Sequence, residues 1–319
     1  MVLRSSFCIK KAFFTITLLC IADVTSIDAV VQEKVLIITH SFNRPEFIEI
    51  QHRTFKKFLK DAYEFVVFND ANTVEMAQTI DEACMQHGIS CIRIPQEIHD
   101  LPYLKRAPGD RYHRPNIRHA NVLQYSLDTC GFAYDGIVAI IDSDLFLVKP
   151  FSIHQYMNEY DLLSVHRGGP DGVVYLWPGL VFFNMNTISD KKSINFNCGY
   201  IKGHRVDSGG FMHYFFEKNS TVRVAWVSEF QGGRLFCPDR FMSVPGTEPS
   251  HAEMQQLANM GFDETQIGFL QQKPDTIGFL CDHHFLHYRA GSNYDNRSNT
   301  YLADKWQLIN RYLDTILAD

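Results

Sequence analysis

"GIVAIIDSDLFLVKPF", residues 136–151, decides how this chain is read. The aliphatic run Ile137–Ile141 leads straight into Asp142-Ser143-Asp144, and apolar residues resume at once. A buried strand ending on two carboxylates leaves charge at the edge of an apolar core, which is costly unless something compensates it. In an extended segment the two side chains point to one side, because strand periodicity is two. Together they suit one hard divalent cation, Mn²⁺ or Mg²⁺, which takes oxygen ligands and keeps positions open for phosphate oxygens. A cation there would act as a Lewis acid towards a departing diphosphate. The plainer alternative is a capped turn in which Asp142 accepts backbone N–H groups. The apolar strand in front and "LFLVKPF" behind favour the metal.

Working outward, the pattern is regular from Lys34. "KVLIITH" reads as a buried strand and "SFNRP" as turn chemistry. "EFIEIQHRTFKKFLK" carries apolar residues at helical spacing. "YEFVVFND" is a second strand, "TVEMAQTIDEACMQHG" a helix closed by Gly88, and "ISCIRIP" a third strand. After a long polar loop, Pro115 opens the helix "PNIRHANVLQYSLDTC", and "GIVAIIDSD" is the fourth strand. Such βαβα alternation predicts a mainly parallel sheet covered by helices on both faces, with ligands outside the carboxyl ends of the strands. In the second half, "DLLSVHR" and "GVVYLWPGLVFFNM" read as strands around a Gly-Pro-Asp-Gly turn. "VDSGGFMHYFFEKN" opens a helix, "TVRVAWVSE" is a strand, "IGFLCDHHFLHYRAG" a late strand leaving the sheet, and "TYLADKWQLINRYLDTIL" an amphipathic helix. No Pro- or Ser-rich linker divides the halves, so one α/β domain is expected over 34–319, with a nucleotide-binding half at 34–151 and an acceptor-binding half at 152–319.

"AIIDSDLFLVKPF" resembles the Asp-x-Asp signature of GT-A fold glycosyltransferases. "VLIITHSFNRPEFI" resembles the first nucleotide-binding strand and loop of that fold, and "NIRHANVLQYSL" the helix before the triplet. "WPGLVFFNM" is similar to the strand that rebuilds the acceptor side, and "LHYRAGSNY" to the late His-containing loop that closes the metal and diphosphate site. The likeness covers roughly Lys34 to Tyr294. It implies a Rossmann-like sheet, a metal on Asp142 and Asp144, and transfer of a sugar from a nucleotide-sugar donor, most plausibly UDP-linked, to a carbohydrate or glycoconjugate acceptor.

Candidate residues follow from position. His287 is the choice for a third metal ligand, since neutral imidazole binds Mn²⁺ well; His283 and His284 stay open, because a strand would put His283 and His287 on one face. Thr39, Ser41, Asn43 and Arg44 follow strand one, where they could hold a base or ribose edge and, for Arg44, a phosphate; a helix cap before Pro45 accounts for them equally well. Asp70 ends strand two as a candidate for base or ribose. Arg118 could meet the diphosphate or the Asp pair, unless it is a solvated helical arginine. Ser143, between the two acids, is a further candidate for the donor, as is Asp142 itself. An acceptor base, needed for inversion, is sought among Asp171, Asp207 and Glu229. Asp207 is favoured because Ser-Gly-Gly leaves sugar room to approach, though it could simply cap the following helix. Trp177 could stack on a sugar, or be a buried aromatic.

Composition narrows the rest. A net charge of −6 gives no basic face for nucleic acid, while 45% hydrophobic and 21% charged residues are the balance of a globular chain. Arg4, Lys10 and Lys11 before "AFFTITLLCIA" and the small residues of "DVTSIDA" read as a signal peptide over 1–29, with cleavage after Ser26 or Ala29. A short anchor is the second choice, because spanning takes about 20 apolar residues. The expected compartment is therefore the secretory pathway, or the cytoplasm if the leader is misread. The cysteines form no C-x-x-C pair, so zinc is not indicated. The sequons at Asn219 and Asn296 are compatible with secretion. The alternatives are a nucleotidyltransferase, disfavoured because no G-x-x-x-x-G-K-[ST] occurs, and a secreted nucleotide- or sugar-binding module without turnover.

Overall fold

The computed structural model describes residues 33–100, 114–231, 234–237, 240–243, 255, 257–259, 261–272, 277–289, 291 and 299–318. The leader and the sequon at Asn296 lie outside them. Among the described residues no helix is long and apolar enough to cross a membrane.

Seven strands make the main sheet. They are β1 (Val35–Ser41), β2 (Tyr63–Asn69), β3 (Ser90–Arg93), β4 (Ile137–Ile141), β6 (Leu162–Gly168), β7 (Val174–Asn184) and β10 (Val224–Val227), in the order β10-β6-β7-β4-β1-β2-β3. Every neighbouring pair is parallel except the two made by β7, which lies antiparallel between β4 and β6. The expected mixed, mainly parallel α/β sheet with helices on both faces is what the chain forms. Strand periodicity shows in its cores. Val35 and Ile37 of β1 pack with α1 (Pro45–Phe58), α2 (Val74–Gln86) and α5 (Ile153–Met157), whereas Leu36 and Ile38 pack on the other side with α4 (Arg114–Thr129) and α6 (Met212–Lys218). Helix α1 begins with Pro45 and Glu46 and ends with Lys56 and Lys57, residues matched to the two ends of its dipole.

The structure corrects the sequence reading at the centre. Strand β4 stops at Ile141, and Asp142-Ser143-Asp144 is a turn closed by the Leu145 N–H on the Asp142 carbonyl at 3.0 Å. The two acids therefore do not share a strand face. After the turn the chain enters a second, antiparallel sheet of β5 (Leu145–Leu147), β11 (Glu229–Gln231), β12 (Arg234–Cys237), β13 (Arg240–Ser243), β14 (Gly278–Leu280) and β15 (Phe285–His287), ordered β13-β12-β11-β14-β15-β5. The turn is thus the corner between two sheets. Leu145 and Leu147 face the main core, while Phe146 joins a further core with Phe47, Phe279, Leu286, Tyr288 and the C-terminal helix Asn299–Leu317.

Two further corrections concern the second half. The stretch expected as one late strand is a hairpin, β14 and β15, around a turn in which Cys281, Asp282 and His283 all have positive φ. Asp207 does not cap α6, which starts at Met212; its Oδ1 accepts the Ser208 N–H at 2.7 Å instead.

Candidate active site

Strands β1, β2 and β4 are parallel neighbours, so Ser41, Asn69 and Ile141 end on one edge of the sheet, where ligands of open α/β sheets bind. The Asp turn is held there from both sides. Gln51, buried on α1, donates Nε2 to the carbonyls of Asp142 at 2.8 Å and Leu145 at 2.9 Å. The Asp142 N–H donates to the Gly179 carbonyl at 2.8 Å. Gly179 lies in a bulge of β7, where the register with β6 shifts and Ser164 Oγ bridges the Trp177 and Leu180 carbonyls at 2.9 Å each. Such bulges re-aim side chains beside functional sites. A Cβ on Gly179 would lie 2.3 Å from Trp177 Cζ2 and 2.6 Å from Asp142 Oδ2, so its bare Cα leaves room for both side chains.

Asp142 Oδ1 accepts from His119 Nε2 at 3.2 Å, and His119 Nδ1 lies 3.1 Å from Ser208 Oγ. Burial disfavours the charged imidazole, but the Asp142, Asp207 and Asp144 carboxylates outweigh it and raise the His119 pKa. Burial likewise opposes the Asp142 carboxylate, and His119, His40 and His287 overcome it, so its pKa is lowered. His40, buried behind them with Nε2 3.0 Å from Ser126 Oγ, is pushed down to about 4 by burial and by His119.

Asp144 Oδ2 accepts the Gly291 N–H at 3.0 Å, and His287 Nε2 stands 3.7 Å from Asp144 Oδ1. Of the three candidate histidines only His287 stands beside the acids. His283 lies in the hairpin turn, lowered to about 4 by burial and by Lys149, and stacks on His284 at 5.7 Å. Two carboxylates and an imidazole are a donor set suited to Mn²⁺. Among the described residues, however, no three such side chains are already gathered into a metal cage.

Several sequence-derived candidates sit elsewhere. Arg118 does not reach the Asp pair. It clamps Asp70, with Nε on Oδ2 at 2.6 Å and Nη2 on Oδ1 at 2.8 Å, joined by His99 at 2.8 Å. Burial raises the Asp70 pKa, but His99 and Arg118 reverse that and hold it low. Arg44 is buried against the Phe47 ring at 3.7 Å, bonded to Glu46 and to the Gly291 carbonyl, so it braces the loop beside Asp144. Thr39 Oγ1 donates to the Ile141 carbonyl at 2.7 Å, and Ser41 Oγ to the Arg44 carbonyl at 3.3 Å. Asn43, with φ of 54°, accepts the Asn72 N–H. Ser143 is buried in the turn. Asp171, 70% exposed at the β6–β7 tip, pairs with His204 at 2.9 Å. Glu229 is buried and forked onto Arg167 at 2.7 and 3.1 Å. Arg167 stands 5.7 Å from the Trp177 ring, which packs 5.0 Å from His287. Asp207 is exposed next to Ser208. Sequence reasoning assigned no role to His119, Gln51 or Gly179; the one signal was "RH" in "NIRHAN", where His119 rather than Arg118 reaches Asp142.

No protein-family model and no curated protein matches the chain. Among solved structures, the bifunctional glycosyltransferase WbbM has a TM-score of 0.37 at 12% identity, over 62% of this chain and 39% of that one. Core-mannan synthase A from Aspergillus fumigatus, in its Mn/GDP form, has a TM-score of 0.35 at 9% identity, over 48% of this chain and 60% of that one. Glucosyl-3-phosphoglycerate synthase from Mycobacterium tuberculosis, in complex with Mn²⁺, UDP and glucosyl-3-phosphoglycerate, has a TM-score of 0.35 at 12% identity, over 60% and 68%. Likenesses of this size settle neither family nor activity.

Proposed function

We propose that this chain is a glycosyltransferase that moves a sugar from a nucleotide-sugar donor, UDP-linked, to a carbohydrate or glycoconjugate acceptor. The observation that carries the reading is the Asp142–Asp144 turn at the carboxyl edge of the central strand, with His287 beside Asp144. Asp142, Asp144 and His287 would hold Mn²⁺ or Mg²⁺. A cation bound there supplies positive charge against the diphosphate that leaves when the glycosidic bond breaks.

The chain's own groups do the rest. The clamped Asp70–Arg118 pair at the end of β2 presents a fixed polar edge for base or ribose. Trp177, half-buried beside Gly179, offers a ring face for a sugar. Asp207 is exposed and adjacent to the turn that reaches His119, which suits a carboxylate taking the proton of an acceptor hydroxyl. Glu229 is less suited, because Arg167 occupies both its oxygens. Asp171 lies on an exposed tip with a partner of its own.

Calorimetry of UDP with and without Mn²⁺, followed by release of UDP from UDP-sugars, tests this. Mn²⁺-dependent UDP binding with slow donor hydrolysis is expected. Binding without turnover of any donor would leave only a binding module, and no UDP uptake in the presence of Mn²⁺ would overturn the reading altogether.

A further inference from the structure

Building on that reading, we propose that His119 is a positioning residue: its imidazole ties the Asp142 carboxylate to the Asp207–Ser208 turn, so that the donor and acceptor sides of the site are set as one unit. Three elements distant in sequence meet at this ring. His119 lies on α4, Asp142 follows β4 at a separation of 23 residues, and Ser208 precedes α6 at a separation of 89. Both ring nitrogens are engaged, at 3.2 Å to Asp142 Oδ1 and 3.1 Å to Ser208 Oγ. A rigid planar ring with a polar atom on each side can hold two partners at a fixed spacing, which a shorter amide cannot.

The two ends are themselves fixed. At Asp142 the second oxygen takes up the space beside the bare Cα of Gly179, where a Cβ would lie 2.6 Å from it, and the residue's own N–H is held by the Gly179 carbonyl at 2.8 Å. At the far end, Ser208 is buried and its N–H is taken by Asp207 Oδ1. Gly209 follows with φ of +83°, its N–H on the Phe196 carbonyl at 2.8 Å, and a Cβ there would lie 2.6 Å from the Leu176 carbonyl oxygen. A movement of Asp142 is therefore passed through the ring to Ser208, whose neighbour Asp207 faces solvent on the acceptor side.

The test compares the full chain with His119→Asn and Ser208→Ala, using Mn²⁺ and UDP as probes. His119→Asn is expected to weaken Mn²⁺-dependent UDP binding about tenfold or more, as loss of a group supporting a metal ligand does. Amide hydrogen exchange supplies a readout that general loosening would not give. In the parent, Mn²⁺ with UDP slows exchange at 207–210, and in His119→Asn and Ser208→Ala that slowing is gone while exchange in β1 and β4 matches the parent. Unchanged UDP affinity together with an unchanged exchange response at 207–210 overturns the proposal. If the parent takes up no UDP with Mn²⁺, the functional reading fails, and crystal structures of His119→Asn then decide the positioning role: an Asp142 side chain that rotates away from Gly179 supports it, and one that stays in place overturns it.

Discussion

At the scale of single residues, the acids divide by their neighbours. Asp144 faces His287 and Gly291, while Asp142 faces His119, so the two are expected to fail differently. Asp144→Asn, which keeps the shape and removes a charged ligand, should weaken Mn²⁺-dependent UDP binding at least a hundredfold, or about 3 kcal/mol, with thermal stability near the parent's. Titration calorimetry and a melting curve check it, and parent-like binding by a folded variant refutes it. His40 yields a pH prediction. Its folded pKa of about 4 lies below the ordinary 6.5, so the unfolded chain binds the proton first. Its contribution is full above pH 6.5 and fades as pH falls towards 4. Relative to pH 7, the parent should lose about 2 kcal/mol at pH 5 that His40→Gln does not lose. Parallel urea-derived stabilities for the two proteins across that range would contradict it. What the sequence let a reader see at this scale was the acid pair and His287, because unusual residue types stood at the end of an apolar strand. That His119 rather than Arg118 meets Asp142 was hidden, since one residue on a helix is a rotation of about 100°, set only by how α4 packs.

At the scale of elements, the strands and helices of the main sheet and the C-terminal helix were legible in both halves, and the second sheet was not, for a physical reason. β1, β2 and β4 are five to seven residues of apolar chain, and α1 and α2 run for three turns and more, lengths over which a period can be recognised. Strands of the second sheet are three or four residues each, too short to carry a pattern. The hairpin turn at 281–284 contains no glycine, and its left-handed backbone is held by Ser228, whose carbonyl accepts the Cys281 N–H at 2.9 Å and whose Oγ meets Asp282. Gln51 shows how an element supports the site. Buried on α1 with Phe47, Ile48, Thr54 and Phe55, it donates to two carbonyls of the corner. Gln51→Leu leaves both without that donor and should cost about 2 kcal/mol in urea denaturation, along with weaker UDP uptake. A loss below about 0.5 kcal/mol, within the range of ordinary surface changes, would show that the corner does not depend on it.

For the whole molecule, a mixed, mainly parallel sheet was foreseen, but the place of its antiparallel strand, the insertion of β7 between β4 and β6, was not. No local pattern distinguishes a strand's direction when both its faces are buried. That insertion matters, because β7 brings Trp177 and Gly179 to the carboxyl edge of β4. A site built where two sheets meet should stabilise the entire fold when filled. At about a hundred times the dissociation constant, Mn²⁺ with UDP should add roughly 2.7 kcal/mol, which for a chain of this size raises the melting temperature by about 5 °C. A chelator should remove the whole shift, and a shift that survives chelation would show that UDP binds without a metal.

The corner also imposes an arithmetic on chain length. Gly179 anchors its first residue and His287 pairs with Leu145 just past its last. One residue inserted or deleted between Asp142 and Leu145 would turn β5 over, driving Phe146 towards the packing of its neighbours and leaving Leu145 and Leu147 facing the wrong layer. The number of residues separating the two acids from β5 is therefore fixed by the packing on either side of it.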